Sequence, residues 1–333
     1  MLETMKKYNI ALLAGGNSSE REIALQSAAQ VAEAFDRERY NVWLIDVYGR
    51  NFTYRNAEGE WKVDLNDFSL TVGSERVEFD FAYIMIHGTP GEDGHIQGYL
   101  EMMGIPFSSC DMTSSVVTFD KVTTKRAVAD TGVGLAKGIL LREEDWIAPE
   151  AIVAELGLPL FVKPNASGSS CGVTKVKSAE ELPEAIFKAF DESPEVLVEE
   201  CIVGREMACG ILITAEKEYL FPITEIVAKN EFFDYEAKYT AGMSDEITPA
   251  DIAPEVVEKL NQMTVAAYKA CRCRGLARVD FIVTPEGEPY LIEINTIPGM
   301  SSGSIVPKQI RAAGMTMTEV LNLVIEDTLC GNQ

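Results

Sequence analysis

The sequence predicts an α/β fold followed by α+β units, and three observations support this fold class. Residues 8 to about 110 alternate strand-like and helix-like segments, a βαβ pattern typical of a mainly parallel sheet covered by helices. Residues 121–200 combine helical stretches with short strands around a Gly/Ser loop at 165–172, which predicts a small α+β unit. Residues 277–295 contain two apolar strands around the turn TPEGEP, which predicts a hairpin.

Hydrophobic periodicity gives the order of the elements. Near the N-terminus it predicts strands at Tyr8 to Ala14, Asn41 to Val47 and Phe81 to Ile86, with a helix at Glu20 to Phe35. The polar stretch from 50 to 77 contains a predicted hairpin at NAEGEW and has no assigned chemistry. The later predictions are a helix at 121–130, strands at 161–164, 172–176 and 196–200, a helix near 179–190, two strands within 211–226, an irregular segment at 229–251, a helix at 254–273 and helices after 304.

Composition indicates a globular chain and argues against several partners. The chain has 333 residues, of which 47% are hydrophobic, so it can bury the cores of more than one domain. Its 29 basic and 52 acidic residues give a net charge of −23, which repels nucleic acid and anionic membranes, so we expect neither as a partner. No apolar run approaches the roughly 20 residues that span a bilayer, and the first one is too short for a signal peptide. We therefore expect a cytoplasmic location.

The seven cysteines do not form a recognisable framework. Their number is odd, no CxxC motif occurs, and the chain has two histidines, which makes Cys271 and Cys273 a poor zinc site. We expect reduced and mostly buried thiols.

The hairpin strand LIEIN places a carboxylate and an amide on one face, because Glu293 and Asn295 are two residues apart. If the hairpin is centred between residues 286 and 287, Asp280 faces Glu293 and Arg278 faces Asn295. Opposed carboxylates need a shared proton or a cation, and Asp, Glu and Asn oxygens suit Mg²⁺. The alternative is a surface hairpin with solvated acids, and a slip of one residue in register would abolish the pairing.

A phosphate-binding loop is predicted at residues 163–172. Lys163 ends a strand and precedes a Gly/Ser loop, where small residues let backbone N–H groups approach phosphate oxygens. Lys121 stands at a predicted helix start, and Glu199 and Glu206 flank a strand end whose backbone could bind an adenine edge at residues 200–202. Taken singly, the loop is also typical of an ordinary turn, and these lysine and glutamate side chains are typical of a solvated surface.

Together these motifs resemble the ATP-grasp ligases, and among them the D-alanine–D-alanine ligase family. The similar segments cover nearly the whole chain and are weakest at 50–78. They are AGGNSSEREIAL (14–25), IHGTPGEDGHIQGYLE (86–101), KPNASGSSCGV (163–173), VLVEECIVGRE (196–206), FFDYEAKY (232–239), GLARVDF (275–281) and NTIPGMSSGSIVP (295–307). The resemblance implies an ATP-grasp fold with an N-terminal Rossmann-like parallel-sheet domain at 1–110, a central domain at 111–204 and a C-terminal domain at 205–333.

The resemblance also implies the ligands and their residues. ATP would lie between the central and C-terminal domains, with two Mg²⁺ ions, Mn²⁺ as an alternative ion, and a monovalent cation as a further candidate. The implied ATP-binding residues are Lys121, Lys163, Ser170, Glu199, Ile202, Glu206 and Phe232. The implied metal ligands are Asp280, Glu293 and Asn295.

The implied substrate residues lie in several motifs. Glu20 would hold the ammonium of a first D-alanine, with His87 beside that substrate, although each taken alone is typical of a structural residue. Arg278 and the Gly299 N–H would face a tetrahedral oxyanion. The remaining roles are hydrogen bonds of Ser169 and Tyr239 with Glu20, contact of Lys238 with the transferred phosphate, and binding of a second carboxylate by Ser304 and the Ile305 backbone. Segment 229–251 would then be a lid, although composition alone fits disorder equally well.

The implied activity is ATP-dependent ligation of two D-alanines through a D-alanyl phosphate, by an enzyme that relatives suggest is a homodimer. Tyr239 favours an amine as the second substrate, because relatives that use D-lactate typically lack this tyrosine. An enzyme that uses D-lactate or D-serine, or a catalytically inactive nucleotide-binding module, remains an alternative. Two positions depart from the family pattern, since Cys201 replaces an aromatic residue near the adenine and Gly303 stands where some relatives have histidine.

Overall fold

A computed structural model describes residues 7–145, 147–168, 171–228 and 244–331 of the chain. Five predicted site residues lie outside these ranges: Ser169, Ser170, Phe232, Lys238 and Tyr239. In the described part, no helix is both long and apolar enough to cross a membrane.

The first sheet has a parallel centre, as predicted. Strand β1 (Tyr8–Gly15) lies between β2 (Tyr40–Tyr48) and β7 (Phe81–Met85), and both pairings are parallel. Residues 10–14 are fully buried, because a parallel strand with layers on both faces has no solvent side. Helix α1 (Arg21–Ala34) covers this sheet with the small buried residues of its inner face.

The polar stretch after β2 extends the same sheet as an antiparallel meander. Its strands are β3 (Asn51–Asn56), β4 (Gly59–Asp64), β5 (Ser69–Val72) and β6 (Glu75–Glu78). Asn56 pairs with Gly59, so the predicted hairpin at NAEGEW is confirmed. The complete order is β6-β5-β4-β3-β2-β1-β7, and α2 (His95–Met103) follows it.

The second sheet has four antiparallel strands in the order β10-β9-β11-β8. They are β8 (Gly138–Arg142), β9 (Leu160–Pro164), β10 (Thr174–Val176) and β11 (Glu195–Glu200). Helices α3 (Met112–Phe119) and α4 (Lys121–Val128) precede it, and α5 (Pro149–Leu156) and α6 (Leu182–Phe190) pack on it. The predicted small α+β unit is therefore present.

The third sheet has the order β15-β14-β12-β16-β17, with β13 paired to β12. Its strands are β12 (Arg205–Ile213), β13 (Glu218–Leu220), β14 (Thr224–Ala228), β15 (Ser244–Ile247), β16 (Gly275–Val283) and β17 (Pro289–Asn295). Helix α7 (Pro254–Ala270) covers one face. The segment predicted to be irregular at 229–251 thus contains a strand at its end, because β15 pairs with β14.

The β16–β17 hairpin has the predicted pairing at its functional end but not near its turn. Asp280 pairs with Glu293, and Arg278 pairs with Asn295, as predicted. Nearer the turn, Phe281 pairs with Leu291 instead of Ile292, because a register shift lies between Asp280 and Phe281. A β-bulge of this kind inserts one residue into one strand and re-aims the side chains beyond it.

The last two helices connect the third sheet back to the first. Helix α8 (Ile305–Ala312) leads into α9 (Met317–Gly331), whose buried residues Val320, Leu321, Val324 and Ile325 join the core of the N-terminal sheet. This packing brings the loop after β17 against the ends of β1 and β7. Four of the seven cysteines are buried, at positions 110, 209, 271 and 273, and all seven are unbridged.

Candidate active site

Two cavities meet at the centre of the molecule. The first, of about 320 Å³, lies between the N-terminal sheet and the loop after β17. The second, of about 460 Å³, lies between the second and third sheets, with Lys163 and Glu199 on one wall and Asp280 and Ile292 on the other. Both volumes are typical of small-ligand sites. Four residues line both cavities: Lys121, Ser167, Gly168 and Glu293.

The hairpin presents a charged face to both cavities. Asp280 is 3% exposed and accepts hydrogen bonds from Arg278, at 2.8 and 3.1 Å from Nε and at 2.7 Å from Nη2. Burial lowers the pKa of Arg278, but the charges of Asp280 and Glu293 outweigh this and raise its pKa, so the guanidinium is permanently charged. The predicted cluster of four side chains on one sheet face is present, with Arg278 neutralising Asp280.

The predicted metal ligands lie together on this face and bear only oxygen donors. Asp280 and Glu293 supply carboxylates, and the Asn295 amide oxygen is held by the Ile297 N–H at 3.1 Å. Among the described residues, no group of three or more His, Cys, Asp or Glu side chains has metal-binding geometry. A hard-oxygen set this small fits Mg²⁺, which usually completes its shell with water and substrate phosphates.

One of the two predicted phosphate-binding lysines, Lys163, shares a buried acid of the second cavity with a further lysine. Lys163 and Lys125 both form ion pairs with Glu199, which is 7% exposed. Burial raises the pKa of Glu199, but the two ammonium groups reverse this and lower it below its usual value. Lys125 was missed from the sequence, although it follows Lys121 by four residues and therefore shares a face of α4 with it.

The start of α4 is joined to the Gly/Ser loop by a hydrogen-bond network. The side chain of Asp120 caps the helix, accepting from the Thr123 N–H at 2.7 Å and from the Asn165 amide at 2.7 Å. Lys121 Nζ donates to the Ser167 carbonyl at 2.9 Å. The helix start, Lys121 and the loop therefore form one unit at the junction of the cavities.

The strand end after β11 forms the far wall of the second cavity. Glu200, Cys201, Ile202 and Glu206 all line it. The Glu200 N–H donates to the Lys137 carbonyl and the Cys201 N–H to the Pro159 carbonyl. Of the three backbone groups predicted to contact an adenine, only the Ile202 N–H has no hydrogen-bond partner within the described ranges. Among the N–H groups of residues 200–202, the one that no described residue engages is therefore that of Ile202.

One wall of the first cavity consists of closely packed acids and glycines. Glu20 precedes α1 and is 7% exposed, and a Cβ added to Gly168 would lie 2.5 Å from its Oε2. Glu92 accepts from the Gly88 N–H at 2.7 Å. Burial and the negative charge of Glu20 raise the pKa of Glu92 to about 8. Glu92 was not predicted as a site residue, although it lies in the same motif as His87, IHGTPGEDGHIQGYLE (86–101).

His87 lies at the base of this wall, where its ring is 4% exposed. Its Nδ1 is 2.9 Å from the Ile297 carbonyl and its Nε2 is 3.4 Å from Ser27 Oγ. Burial lowers the pKa of His87, so the imidazole is neutral. Both ring nitrogens are thus engaged by the protein itself.

The opposite wall is formed by the loop after β17 and the start of α8. A Cβ on Gly299 would lie 2.9 Å from Ser304 Oγ, so glycine allows the close approach of these two segments. Ser304 Oγ is 2.8 Å from Ser301 Oγ, and Ile305 begins the helix. Glu246, which the sequence analysis missed, also lines this wall and accepts from Lys308 Nζ at 2.7 Å.

Comparison with known proteins identifies the family. Residues 9–110 match the family model of the D-ala D-ala ligase N-terminus, and residues 128–326 match that of the C-terminus. A D-alanine–D-alanine ligase of Parabacteroides distasonis is 47% identical over 324 residues, which cover 97% of this chain and 98% of that protein.

Solved structures show the same fold. The chain is similar to a D-Ala:D-Ser ligase from Enterococcus faecalis, with a TM-score of 0.85 and 31% identity over 96% of this chain and 99% of that one. It is also similar to a D-alanine–D-alanine ligase from Bacillus anthracis complexed with ATP, with a TM-score of 0.77 and 30% identity over 97% of each chain. The chain therefore belongs to the D-alanine–D-alanine ligase family and has its ATP-grasp fold.

Proposed function

We propose that this protein is an ATP-dependent D-alanine–D-alanine ligase. It joins two D-alanines through a D-alanyl phosphate, releases ADP and phosphate, and supplies a dipeptide for peptidoglycan precursors. The observation that carries this proposal is the meeting of a nucleotide-sized cavity and a smaller polar cavity at Lys121, Gly168 and Glu293. Transfer of a phosphoryl group between two bound substrates requires such a junction, with cations and a metal-binding carboxylate beside it.

The three parts of the chain divide this work. Residues 1–110 provide the first D-alanine site through Glu20 and the wall around His87. Residues 111–204 and 205–333 enclose ATP between their sheets. Lys121 and Lys163 bind its phosphates, Ile202 meets the adenine edge, and Ser170, Glu199, Glu206 and Phe232 complete the nucleotide site.

Asp280, Glu293 and Asn295 would hold two Mg²⁺ ions, for which Mn²⁺ can substitute. The ions supply charge neutralisation for the phosphates of ATP during transfer. The set fits this role because its donors are all oxygens, and because two carboxylates at one β-sheet pair repel each other without a cation. Arg278 already neutralises Asp280 from one side. A metal ion would then bind the two carboxylates, Asp280 and Glu293, from the side of the cavity.

The protein's own groups orient the substrates for two successive steps. Glu20 pairs with the ammonium of the first D-alanine, so that the carboxylate of that D-alanine lies at the junction. This carboxylate attacks the γ-phosphorus of ATP, which forms the acyl phosphate and releases ADP. Ser304 and the Ile305 N–H hold the carboxylate of the second D-alanine, whose amine then attacks the carbonyl carbon and displaces phosphate. The family resemblance implies that Ser169, Lys238 and Tyr239, which lie outside the described residues, would belong to a lid that excludes water from the acyl phosphate.

The tetrahedral oxyanion of the second step is stabilised by Arg278 and the Gly299 N–H. Nε and Nη2 of Arg278 bind Asp280, whereas Nη1 has no hydrogen-bond partner among the described residues. Nη1 is therefore available to the oxyanion in the first cavity, which Arg278 and Gly299 both line. Donors fixed in advance in this way are worth several kcal/mol in a transition state.

The remaining expectations concern the setting of the enzyme. We place it in the cytoplasm as a homodimer, with a monovalent cation as a further ligand, because the family resemblance implies these properties. D-serine is the second candidate for the attacking substrate, because the chain is also similar to a D-Ala:D-Ser ligase. An amine nucleophile is common to both products.

The test is ADP release by the purified protein with Mg-ATP, with and without D-alanine, and mass analysis of the product. ADP release that depends on D-alanine, with D-alanyl-D-alanine as product, is the expected result. A D-alanyl-D-serine product in an equimolar mixture would favour the second candidate. ATP binding without turnover on D-alanine, D-serine or D-lactate would refute a ligase function.

The metal face has its own test. Glu293→Gln should raise the Mg²⁺ concentration for half-maximal activity at least tenfold, because the amide cannot neutralise the cation. Glu286→Gln, at the exposed turn of the same hairpin, is the matched control and should leave it unchanged. Equal Mg²⁺ dependence in the two variants would contradict the assignment.

A further inference from the structure

A buried hydrogen-bond chain holds both sides of the Pro298–Gly299 unit. On one side, the Ile297 carbonyl is 2.9 Å from His87 Nδ1. On the other, the Met300 N–H donates to Ser27 Oγ at 3.2 Å, and Ser27 Oγ is 3.4 Å from His87 Nε2. Ser27 is fully buried, so water does not compete for its hydroxyl. The network joins α1, the end of β7 and the loop after β17.

The directions of these hydrogen bonds follow from chemistry. The Ile297 carbonyl can only accept, so Nδ1 carries the proton, and in a neutral imidazole Nε2 is then the acceptor. The Met300 N–H can only donate, so Ser27 Oγ accepts from it and directs its own proton to Nε2. The chain is satisfied by one tautomer of neutral His87, and burial, which lowers the pKa of His87, favours that neutral form.

We propose that Ser27 and His87 are positioning residues that aim the Gly299 N–H at the oxyanion of the ligation step. This inference rests on the proposed function. Proline 298 has no N–H, so the direction of the Gly299 peptide depends on how its neighbours are held. Both neighbours, Ile297 and Met300, are fixed by the His87–Ser27 pair. His87 thereby acts through the loop, in addition to lying beside the first substrate.

The matched variants are Ser27→Ala and Ser69→Ala. Ser27→Ala leaves the Met300 N–H without its acceptor and His87 Nε2 without its donor. Ser69→Ala is the control, because Ser69 is 2% exposed and also loses a hydroxyl hydrogen bond, but lies on β5 at the far side of the N-terminal sheet. His87→Asn keeps a donor near the Nδ1 position but loses the Ser27 contact. Its loss of kcat should therefore lie between those of Ser69→Ala and Ser27→Ala.

Ser27→Ala should lower kcat by about 10- to 100-fold, because loss of a whole oxyanion donor costs about 10²–10³ and here the donor is only misdirected. The Kd of ATP should stay within about twofold. Affinity for a phosphinate analogue of the dipeptide, whose tetrahedral phosphorus replaces the carbonyl carbon, should fall in parallel with kcat/KM. Ser69→Ala should change none of these quantities by more than about twofold.

The ring ¹⁵N shifts of His87 test the same arrangement independently of activity. The chain has two histidines, so a His95→Gln variant assigns both signals. The parent should show a proton on Nδ1, and Ser27→Ala should shift the Nε2 signal and the Gly299 amide signal. A proton on Nε2 in the parent would overturn the proposal, as would equal losses of kcat in Ser27→Ala and Ser69→Ala. A parent with the predicted tautomer but no dipeptide product would instead refute the proposed function.

Discussion

Replacement of Glu92 by glutamine should stabilise the protein, and the gain should grow with pH. The carboxyl lies in the first cavity near Glu20, which together with burial raises its pKa from 4.5 to about 8. Glutamine resembles the protonated form, and its amide oxygen can still accept from the Gly88 N–H. The variant therefore removes the cost of ionising this group in the folded protein.

Proton linkage gives the sign and the size of this pH-dependent change in stability. Below pH 4.5 the carboxyl is protonated in both states and contributes no pH dependence. Between pH 4.5 and 8 the folded protein binds more protons than the unfolded chain, so the parent loses stability as the pH rises. At 1.36 kcal/mol for each pH unit, the loss is about 3 kcal/mol at pH 7 and reaches about 5 kcal/mol above pH 8. These are upper limits, because water in the cavity screens the charge.

Scanning calorimetry of the ligand-free protein between pH 5 and 9 measures this effect. An unfolding entropy of about 2.1 cal/mol/K per residue converts 5 kcal/mol into a Tm increase of roughly 7 °C for Glu92→Gln at pH 9. The increase should shrink towards zero near pH 5. Glu286→Gln, which removes an exposed acid, should shift the Tm by less than about 1 °C at every pH. A Tm difference between Glu92→Gln and the parent that is constant across this range would refute the reasoning.

Three further predictions concern the site. Gly168→Ala should raise the KM for D-alanine about tenfold with little change in Tm, because the new Cβ would lie 2.5 Å from Glu20 Oε2, and an unchanged KM would contradict this. Lys125→Met should raise the Kd of ATP about tenfold in calorimetric titration, because Glu199 then competes with the phosphates for Lys163; equal affinity would argue against that competition. A thiol reagent should modify at most three of the seven cysteines in the native protein, and Mg-ATP should protect two of them; reaction of a fourth thiol before unfolding would contradict the observed burial. The three reactive thiols are Cys171, Cys201 and Cys330, and the first two line the second cavity, where ATP is proposed to bind.

The sequence alone predicted the features of the fold that depend on local periodicity. Alternation of apolar segments predicted the βαβ start, and the run at residues 10–14 is buried as a central parallel strand requires. The two-residue spacing of Glu293 and Asn295 predicted a shared face, because side chains alternate along a strand. The ordered motifs identified the family and included many of the residues that line the two cavities, but not Glu246.

The bulge in the hairpin shows where local reasoning ends. The turn alone does not reveal that β17 contains one extra residue, Ile292, opposite the step from Asp280 to Phe281, because bulges depend on how a strand packs against its neighbours. The predicted pairing of Asp280 with Glu293 holds at the functional end, while Phe281 pairs with Leu291. The register of the strand pair that carries the proposed metal ligands is therefore a property of the whole sheet.

Only the tertiary structure decided which distant groups share a site. The pairing of Lys125 with Glu199, the acid at position 92 beside Glu20, and the chain from Ser27 through His87 to the loop after β17 join residues up to 273 positions apart. No periodic pattern encodes such contacts, because each depends on how separate elements pack. The Lys125–Glu199 pair joins α4 to β11, and the chain to the loop after β17 forms where the last helices pack on the core of the N-terminal sheet. The sequence determined which chemical groups are available and on which strand faces they lie, whereas packing between the sheets determined their partners, their protonation and the direction of their hydrogen bonds.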